Sequence, residues 1–329
     1  MKVVMIDHPG GPGSLKLQTK PDLQPAPGML TIDVAYAGVG YFEVLLSRGE
    51  FSAAYPMPLT PGLEVSGYVR AIGEGVKGFH VGQPVASMTL HHLGGFASIA
   101  NVRPDLTVPL DQLEAEVDLA TAAASIVNVT TAYLAIQEVH RLRAGDSVLV
   151  HAAAGGLGSF LGQMAKRLGA GKVFGTVGSP GKIELAASLG YDELFLRSDF
   201  VEHTLRATGH KGVHAVFDPV GGDMRKQSLD VLRPLGQMVV VGNASGEEDV
   251  GHSFNQMWFS NRQYAGFTLG GYSDSNPVET GTAAREALNM LAKKEIHAQI
   301  QGVYPLEDAA EALALLEKGA TVGKLVLKI

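Results

Sequence analysis

The feature that most constrains the fold of this chain is a short apolar strand that leads through a glycine-rich turn into an amphipathic helix. The strand is Ser147–Val150, and the turn that follows contains Gly155, Gly156 and Gly158. Such a turn lets backbone amides approach a diphosphate, and the helix N-terminus adds unpaired N–H donors and the positive end of its dipole. The order of strand, turn and helix therefore predicts a dinucleotide site in a Rossmann domain.

The turn departs from the usual dinucleotide pattern at one position, because Ala153 stands where the first glycine is expected. The backbone of Ala154, Gly155, Gly156 and Leu157 is the candidate ligand for the diphosphate. Gly158 is expected to let the helix pack closely on the strand. The alternative is that the turn is a tight connection within a sheet and binds nothing.

The end of the second predicted strand, Lys172–Val177, indicates which dinucleotide binds. NAD sites usually place an acidic residue here to accept hydrogen bonds from the ribose 2′-hydroxyl, and that carboxylate would repel a 2′-phosphate. In this chain the position is Gly178, and Ser179, Lys182 and Arg197 offer a hydroxyl and two cations. The sequence therefore predicts NADPH rather than NADH. The alternative is that both cations are solvated surface residues.

Periodicity divides the chain into two parts. Residues 1–123 consist of short β-rich pieces separated by Gly and Pro, whereas from residue 124 apolar strands alternate with helical segments, as in parallel βαβ units. An amphipathic helix at Leu306–Glu317 and a strand at Lys324–Ile329 can belong to either part. The other predicted strands are Met29–Tyr36, Glu64–Ile72, Gln83–Met88, Val213–Phe217, Gln237–Val241 and Tyr264–Leu269.

Composition excludes several classes of function. The 33 acidic and 26 basic residues give a formal net charge of −7, which argues against nucleic acid as a partner. The absence of cysteine excludes disulfides, thiolate nucleophiles and cysteine-ligated zinc. No run approaches the ~18 apolar residues of a membrane span, and the N-terminus lacks a signal-peptide pattern. A soluble cytoplasmic protein with no membrane partner is expected.

Six segments carry a resemblance over nearly the whole chain: AYAGVGYFEVLLSRGEF, TPGLEVSGYVRAIGEGVKGF, HAAAGGLGSFLGQMAKRLGA, FDPVGG, VVVGNASG and GKLVLKI. On these residues the chain resembles the zinc-independent quinone oxidoreductase branch of the medium-chain dehydrogenase/reductase superfamily. The resemblance implies a GroES-like catalytic domain at 1–123 completed by 298–329, and a Rossmann domain at 124–297. It also implies a homodimer, for which the predicted apolar edge strand Tyr264–Leu269 is a candidate contact.

The resemblance implies two groups of residues around the nicotinamide. Asn128 and Thr131 are expected on one side of it, and Asn243, Ala244 and Ser245 on the other. The activity implied is NADPH-dependent hydride transfer to a quinone or an α,β-unsaturated carbonyl compound.

Aromatic residues are the candidates on the substrate side. Tyr41 is the candidate acid, because a phenol in a dry cleft can protonate or stabilise an enolate. Its alternative role is a packed aromatic, and a quinone acceptor needs no protein acid. Phe51, Tyr55 and Trp258 are candidates for an apolar wall of the substrate cleft, although aromatic residues are more often part of the core.

Zinc-dependent members of the superfamily carry a catalytic Cys in the segment that here contains Gly40, and a His before the glutamate that here is Glu64. Both ligands are missing. His91 and His92 are adjacent, and on an extended segment they would point to opposite faces and could not chelate one ion together. We therefore expect no metal, and without a Lewis acid alcohol oxidation loses its main charge stabilisation.

Three functions are consistent with these patterns. The first is a zinc-independent, NADPH-dependent quinone or enone reductase. The second is an enoyl-thioester reductase of polyketide or fatty-acyl metabolism, although no basic cluster for a phosphopantetheine arm is evident. The third is a non-catalytic NADPH-binding sensor, which the altered cleft residues Gly40, Leu45 and Phe51 make credible.

Overall fold

The computed structural model describes residues 1–248, 251 and 253–329 and divides into two compact units. Unit 1 contains Met1–Thr130 and Gly270–Ile329, and unit 2 contains Thr131–Leu269. The domain limits expected from the sequence, at 123/124 and 297/298, differ from these boundaries and stay a prediction.

The strands and the helices are numbered separately in chain order. The strands are β1 (Lys2–Ile6), β2 (Leu15–Thr19), β3 (Leu30–Val39), β4 (Glu64–Ile72), β5 (Pro84–Met88), β6 (Ile99–Val102), β7 (Thr107–Pro109), β8 (Ser147–Val150), β9 (Lys172–Val177), β10 (Glu193–Leu196), β11 (Val213–Asp218), β12 (Leu232–Val240), β13 (Gln263–Gly266), β14 (Ile300–Pro305) and β15 (Lys324–Lys328). The helices are α1 (Tyr41–Arg48), α2 (Leu119–Leu134), α3 (Gly156–Arg167), α4 (Gly181–Ala186), α5 (Phe200–Ala207), α6 (Gly222–Ser228), α7 (Phe254–Ser260), α8 (Leu269–Ser275), α9 (Pro277–Ala292) and α10 (Ala309–Glu317).

Unit 2 is a Rossmann domain with a parallel sheet in the order β10-β9-β8-β11-β12-β13. Its central strands are apolar on both faces, because helices cover both, and Val148, Leu149 and Val216 are fully buried. The strand order reverses between β8 and β11, and ligands of open α/β sheets bind beyond the carboxyl ends of the strands at such a point.

Unit 1 has a GroES-like fold around a sheet in the order β14-β15-β3-β4-β5-β7, with β6 also paired to β3. β15 pairs antiparallel with β3, with Leu325 opposite Val39. The C-terminal strand, which periodicity left open and the resemblance placed with the GroES-like domain, lies in unit 1. Its core joins buried residues of this sheet to α10, including Ile32, Val65 and Leu313.

Among the described residues, one helical segment, Leu119–His140, has the length and hydropathy of a membrane span. Its most apolar window has a mean hydropathy of 1.6, but 67% of that window is buried inside the fold. The core helix of a globular protein has the same properties, so the segment is weak support for membrane insertion.

Candidate active site

The glycine turn of unit 2 leaves the start of α3 available to an anion. Ala152 adopts a left-handed conformation with φ 53°, and the Ala153 N–H donates to the Thr176 carbonyl at 2.9 Å. Gly155 is the N-cap, and within the described part of the chain no side chain caps the first turn of α3. The N–H groups of this first turn are therefore available to donate hydrogen bonds to a diphosphate.

Gly158 sets the distance between α3 and the strand before it, as the sequence predicts. A Cβ atom at this position would collide with the carbonyl oxygen of Ala152. The Tyr191 hydroxyl donates to the Gly158 carbonyl at 2.6 Å, which fixes the helix from its other side. A larger side chain would displace α3 from the turn that it completes.

His151 directly follows β8, and its two ring nitrogens link the start of the turn to β9 and α6. It is fully buried, and its Nδ1 and Nε2 atoms lie 2.9 Å from Thr176 Oγ1 and 2.6 Å from Ser228 Oγ. Burial lowers the pKa of His151 to about 4, with a smaller lowering contribution from Arg197. The imidazole is therefore neutral at pH 7 and acts as a structural hydrogen-bonding group.

The residues proposed to select NADPH lie together at the end of β9. The guanidinium of Arg197 approaches Gly178, since a Cβ on Gly178 would lie only 3.9 Å from an Arg197 terminal nitrogen. Lys182 lies in α4, and burial, together with Arg197, lowers the pKa of its ammonium. Two cations thus interact beside the exposed backbone of Gly178 and Ser179. This charge arrangement suits a phosphate dianion.

Asp218, at the end of β11, orders the next turn. Its buried Oδ1 accepts from the N–H groups of Val220 and Gly221 at 2.8 and 2.9 Å, and its Oδ2 accepts from Arg225 Nε at 2.7 Å. Asp218 is fully buried, so this carboxylate serves the backbone and not the reaction.

Asn243, Ala244 and Ser245 form the loop after β12. The N–H groups of Ala244 and Ser245 donate to carbonyls of the Asp218 turn at 3.0 and 2.9 Å. Asn243 Nδ2 donates to the Glu247 carbonyl at 3.0 Å, and its Oδ1 accepts from Ser245 Oγ at 3.3 Å. The side chain of Asn243 is thus engaged within its own loop, and contact of this loop with the nicotinamide stays a prediction.

Asn128 and Thr131 lie three residues apart on α2, where Asn128 is half-buried and Thr131 is buried. Asn128 belongs to unit 1 and Thr131 to unit 2. Their roles beside the nicotinamide stay predictions.

Unit 1 buries three charged side chains that sequence reasoning did not bring together. Lys324 Nζ donates to Glu64 Oε1 at 2.7 Å, and Glu64 Oε2 accepts from the Val127 N–H at 2.9 Å. The carboxylate of Glu43 accepts from the N–H groups of Gly40 and Leu63 at 3.0 and 3.1 Å. Burial raises the pKa of Glu43 to about 7, and the Lys324 ammonium opposes that rise. We call Glu43, Glu64 and Lys324 the buried charge cluster.

Aromatic rings of α1 and the following loop pack together in unit 1. Phe42 stacks on Phe51 with centroids 4.9 Å apart and meets the edge of Tyr55 at 5.7 Å. Tyr41 packs partly against the core, and its hydroxyl has no hydrogen-bond partner among the residues that the structure describes. The roles of Tyr41, Phe51 and Tyr55 in catalysis and substrate contact stay predictions.

Trp258 lies apart from these rings in sequence and belongs to unit 2. It is 70% exposed on α7 and stacks on Phe259 at 4.7 Å. Its role as a substrate wall stays a prediction.

The expectation that His91 and His92 lie on an extended segment is wrong, because they end a single 3-10 turn at Leu90–His92. His91 Nδ1 lies 2.7 Å from the Tyr55 hydroxyl, and its Nε2 lies 3.3 Å from Asp274 Oδ2. Sequence reasoning missed this connection because Asp274, on α8, is remote in sequence and carries no local motif.

In the described ranges, no group of three or more His, Asp or Glu side chains is placed to hold a metal ion. The carboxylate of Glu64 forms an ion pair with the ammonium of Lys324.

Comparison with known proteins gives consistent similarities. Residues 26–112 match the alcohol dehydrogenase GroES-like domain, and residues 156–288 match the zinc-binding dehydrogenase family. A probable quinone oxidoreductase from Schizosaccharomyces pombe is 34% identical over 328 residues, covering 99% of this chain and 96% of the relative. The human synaptic vesicle membrane protein VAT-1 homolog is 31% identical over 349 residues, covering 99% and 86%. The structure of Escherichia coli quinone oxidoreductase complexed with NADPH has a TM-score of 0.91 at 30% identity and covers 100% of both chains.

Proposed function

Because this chain belongs to the quinone oxidoreductase branch of the medium-chain dehydrogenase/reductase superfamily, we propose that it transfers a hydride from NADPH to a quinone or an α,β-unsaturated carbonyl compound. Its family and the NADPH-complexed relative indicate an NADPH-dependent oxidoreductase. The observation that carries the proposal is the pair of cations, Lys182 and Arg197, beside Gly178 in the Rossmann unit.

The residues of unit 2 fit the dinucleotide in two respects. The uncapped first turn of α3, with the backbone of Ala154, Gly155, Gly156 and Leu157, would hold the diphosphate. The Ser179 hydroxyl, with Lys182 and Arg197, would hold the 2′-phosphate, which neutralises the two cations. Asn128, Thr131 and the loop of Asn243, Ala244 and Ser245 are proposed to orient the nicotinamide.

Bound NADPH supplies a hydride, and the protein must bring the acceptor within reach and stabilise the negative charge that forms on its oxygen. We propose that Phe51 and Tyr55 provide an apolar surface for the acceptor, with Trp258 as a further candidate. Tyr41 is the candidate proton donor predicted from sequence, and full turnover by Tyr41→Phe would eliminate it.

Turnover with a panel of acceptors tests the proposal. NADPH oxidation is measured with 1,4-benzoquinone, 9,10-phenanthrenequinone, a short enone and an enoyl-CoA. Turnover of a quinone or the enone supports it. Turnover of the enoyl-CoA alone would instead indicate an enoyl-thioester reductase, and NADPH binding without any turnover would indicate a sensor.

We also propose that catalysis needs no zinc. The chain has no cysteine, and the family position that would follow a zinc-ligating histidine is Glu64, already paired with Lys324 at 2.7 Å. Metal analysis of active protein tests this proposal. Activity unchanged by EDTA with substoichiometric zinc is expected, whereas one tightly bound zinc per chain, lost together with activity, would contradict it.

A second copy of this chain is the proposed partner, through the β13 edge of unit 2. Among the residues that the structure describes, β13 ends the sheet and pairs on one side, with β12. Nearby in sequence, α7 exposes Phe254, Trp258 and Phe259 at 87%, 70% and 75%. An open strand edge and a group of exposed aromatic side chains are features that a homodimer contact buries.

Analytical ultracentrifugation tests this partner. Wild type is expected to sediment as a dimer, and Phe259→Asp as a monomer, because a buried charge opposes association. Val81→Asp is the matched control, since Val81 is 65% exposed in unit 1. A monomeric wild type, or a dimer that Phe259→Asp leaves intact, would contradict the proposal.

A further inference from the structure

His91 has a polar neighbour at each of its two ring nitrogens. Its Nδ1 lies 2.7 Å from the hydroxyl of Tyr55, and its Nε2 lies 3.3 Å from a carboxylate oxygen of Asp274. The rings of Tyr55 and His91 also stack with centroids 6.2 Å apart. The three side chains thus form one series, in the order Asp274, His91, Tyr55.

The start of α8 accommodates this histidine closely. A Cβ on Gly270 would lie 2.7 Å from His91 Nε2, so any side chain there would push the imidazole away. The carboxylate of Asp274 lies one turn farther along the same helix. α8 therefore leaves room for the ring and places a carboxylate beside its Nε2 atom.

The charged and titratable groups around His91 define its hydrogen bonds. Asp274 and Tyr55 face the ring, Arg103 lies 4.0 Å from the other oxygen of Asp274, and His92 is its neighbour in the chain. The Asp274 carboxylate, 3.3 Å from Nε2, favours a proton on that nitrogen, which leaves Nδ1 to accept from the Tyr55 hydroxyl when the ring is neutral. When the ring is an imidazolium, Nδ1–H donates to the Tyr55 oxygen instead, and the phenolic O–H is free to donate elsewhere.

Burial, followed by the charge of Asp274, raises the pKa of Tyr55. The phenol is therefore protonated at neutral pH and can act as a hydrogen-bond donor. The side chains of His91 and Asp274 are 43% and 58% exposed, so water can return a proton to the imidazole.

We propose that Tyr55, and not Tyr41, donates the proton to the oxygen of the acceptor, and that His91 and Asp274 are positioning residues that free this proton and replace it. The inference rests on the proposed function and names its proton donor. Tyr55 touches Phe42, which also stacks on Phe51, so the donor belongs to the aromatic surface already proposed for the acceptor.

The reaction balances with the proton held on His91. An enone gains a hydride at its β-carbon, and its carbonyl oxygen takes the Tyr55 proton as the O–H bond breaks. The Nδ1–H proton of the imidazolium then moves to the phenolate, which leaves His91 neutral. Solvent supplies one proton to His91, so each cycle consumes one NADPH and one proton. The enol returns to the carbonyl in water.

Steady-state kinetics of Tyr55→Phe and His91→Gln test the inference. The acceptor substrate is either 9,10-phenanthrenequinone or 3-penten-2-one, chosen as the one that the wild type reduces faster. Tyr55→Phe is expected to lower kcat by about 10²-fold, the usual loss when one donor to a developing oxyanion is removed. The affinity for NADPH should not change, because the site in unit 2 is intact. His92→Gln, at the exposed neighbouring histidine, is the matched control and should keep wild-type kcat.

The pH profile separates a positioning role from a purely structural one. Wild-type kcat should fall as the pH rises, because the imidazolium is the competent form. Glutamine can keep a hydrogen bond to Tyr55 but does not titrate. His91→Gln should therefore lower kcat and flatten this profile while its thermal unfolding stays near that of the wild type.

Three outcomes would overturn the inference. They are wild-type kcat in Tyr55→Phe, a loss of turnover in Tyr41→Phe alone, and an unchanged pH profile in His91→Gln. Because the last readout does not involve Tyr55→Phe, it decides even if that variant fails to fold. A wild type that reduces neither acceptor would refute the proposed function itself, whereas these three outcomes leave that function standing.

Discussion

Replacing Lys324 by methionine should destabilise unit 1 severely. The ammonium of Lys324 is the cation of the buried charge cluster and lies 2.7 Å from Glu64 Oε1, with both side chains 4% exposed. Methionine has a similar length and no charge, so the variant leaves the carboxylate of Glu64 buried without its counter-ion. Removing one partner of a buried ion pair costs about 3–5 kcal/mol.

The loss should grow with pH. Burial already raises the pKa of Glu43 to about 7, and Lys324 lowers it in part. A carboxyl with a raised pKa in the folded state contributes stability that is present below its unfolded pKa and is lost as the pH rises through the folded one. In Lys324→Met the pKa of Glu43 rises further, so the decline continues above pH 7. The difference from wild type should therefore be larger at pH 8 than at pH 5.

Native-state hydrogen exchange is the suitable assay, because a chain of two units need not unfold in one step. Peptides from β3 and β15 report on unit 1, and peptides from β8 and β11 report on unit 2. The free energy of opening should fall by about 3–5 kcal/mol in the first pair at pH 8. Lys318→Met, at an exposed lysine, is the control and should stay within about 0.5 kcal/mol of wild type.

A double variant isolates the cause. In Lys324→Met with Glu64→Gln the buried charge is gone, so at least about 1 kcal/mol of the loss should return. A single-variant loss below about 1 kcal/mol, or a double variant no more stable than the single, would refute the claim that the charge is uncompensated.

Two further predictions concern the turn of unit 2. Gly158→Ala should weaken NADPH binding at least about tenfold and destabilise unit 2 by about 1–3 kcal/mol, because its methyl group collides with the Ala152 carbonyl. Isothermal titration measures the affinity, and urea unfolding measures the stability. Wild-type affinity in this variant would contradict the packing described for Gly158. Because the pKa of His151 is lowered to about 4, its neutral ring contributes stability at pH values above the unfolded-state pKa near 6.5. This contribution, about 3 kcal/mol at most, is lost as the pH falls toward 4. His151→Gln should reduce this acid loss in hydrogen exchange of β8 peptides, and an identical pH profile would count against burial as its cause.

Local patterns were sufficient to predict most of the Rossmann strands. Ser147–Val150 and Lys172–Val177 were predicted with their observed limits, because strands buried on both faces are nearly continuous apolar runs. β12 begins at Leu232 and not at the predicted Gln237. The added residues include a proline and Leu235 at φ 64°, which are typical of turns and here form an irregular start to the strand.

The last predicted Rossmann strand was too long, because it was expected to reach Leu269. The strand ends at Gly266, and Leu269 begins α8. A short apolar run that crosses from a strand into a helix has no periodicity of its own to mark the change.

Contacts between distant residues could not be predicted. Glu64 and Lys324 are 260 positions apart, and each belongs to a segment that the sequence identified only as a strand. The contact of His91 with Asp274 likewise depends on how α8 folds back beside the 3-10 turn. Side chains that meet only through tertiary structure carry no signal in local spacing.

Discrimination between NADPH and NADH is the property that Lys182 and Arg197 are proposed to provide. Dissociation constants for NADPH and NADH are measured by titration of the wild type and of the double variant Lys182→Ala/Arg197→Ala. The control is the single variant Lys166→Ala, at a lysine paired with Asp192. We predict at least about tenfold tighter binding of NADPH by the wild type, and loss of most of that preference in the double variant alone. Equal affinity of the wild type for the two cofactors, or a preference that survives removal of both cations, would contradict the account.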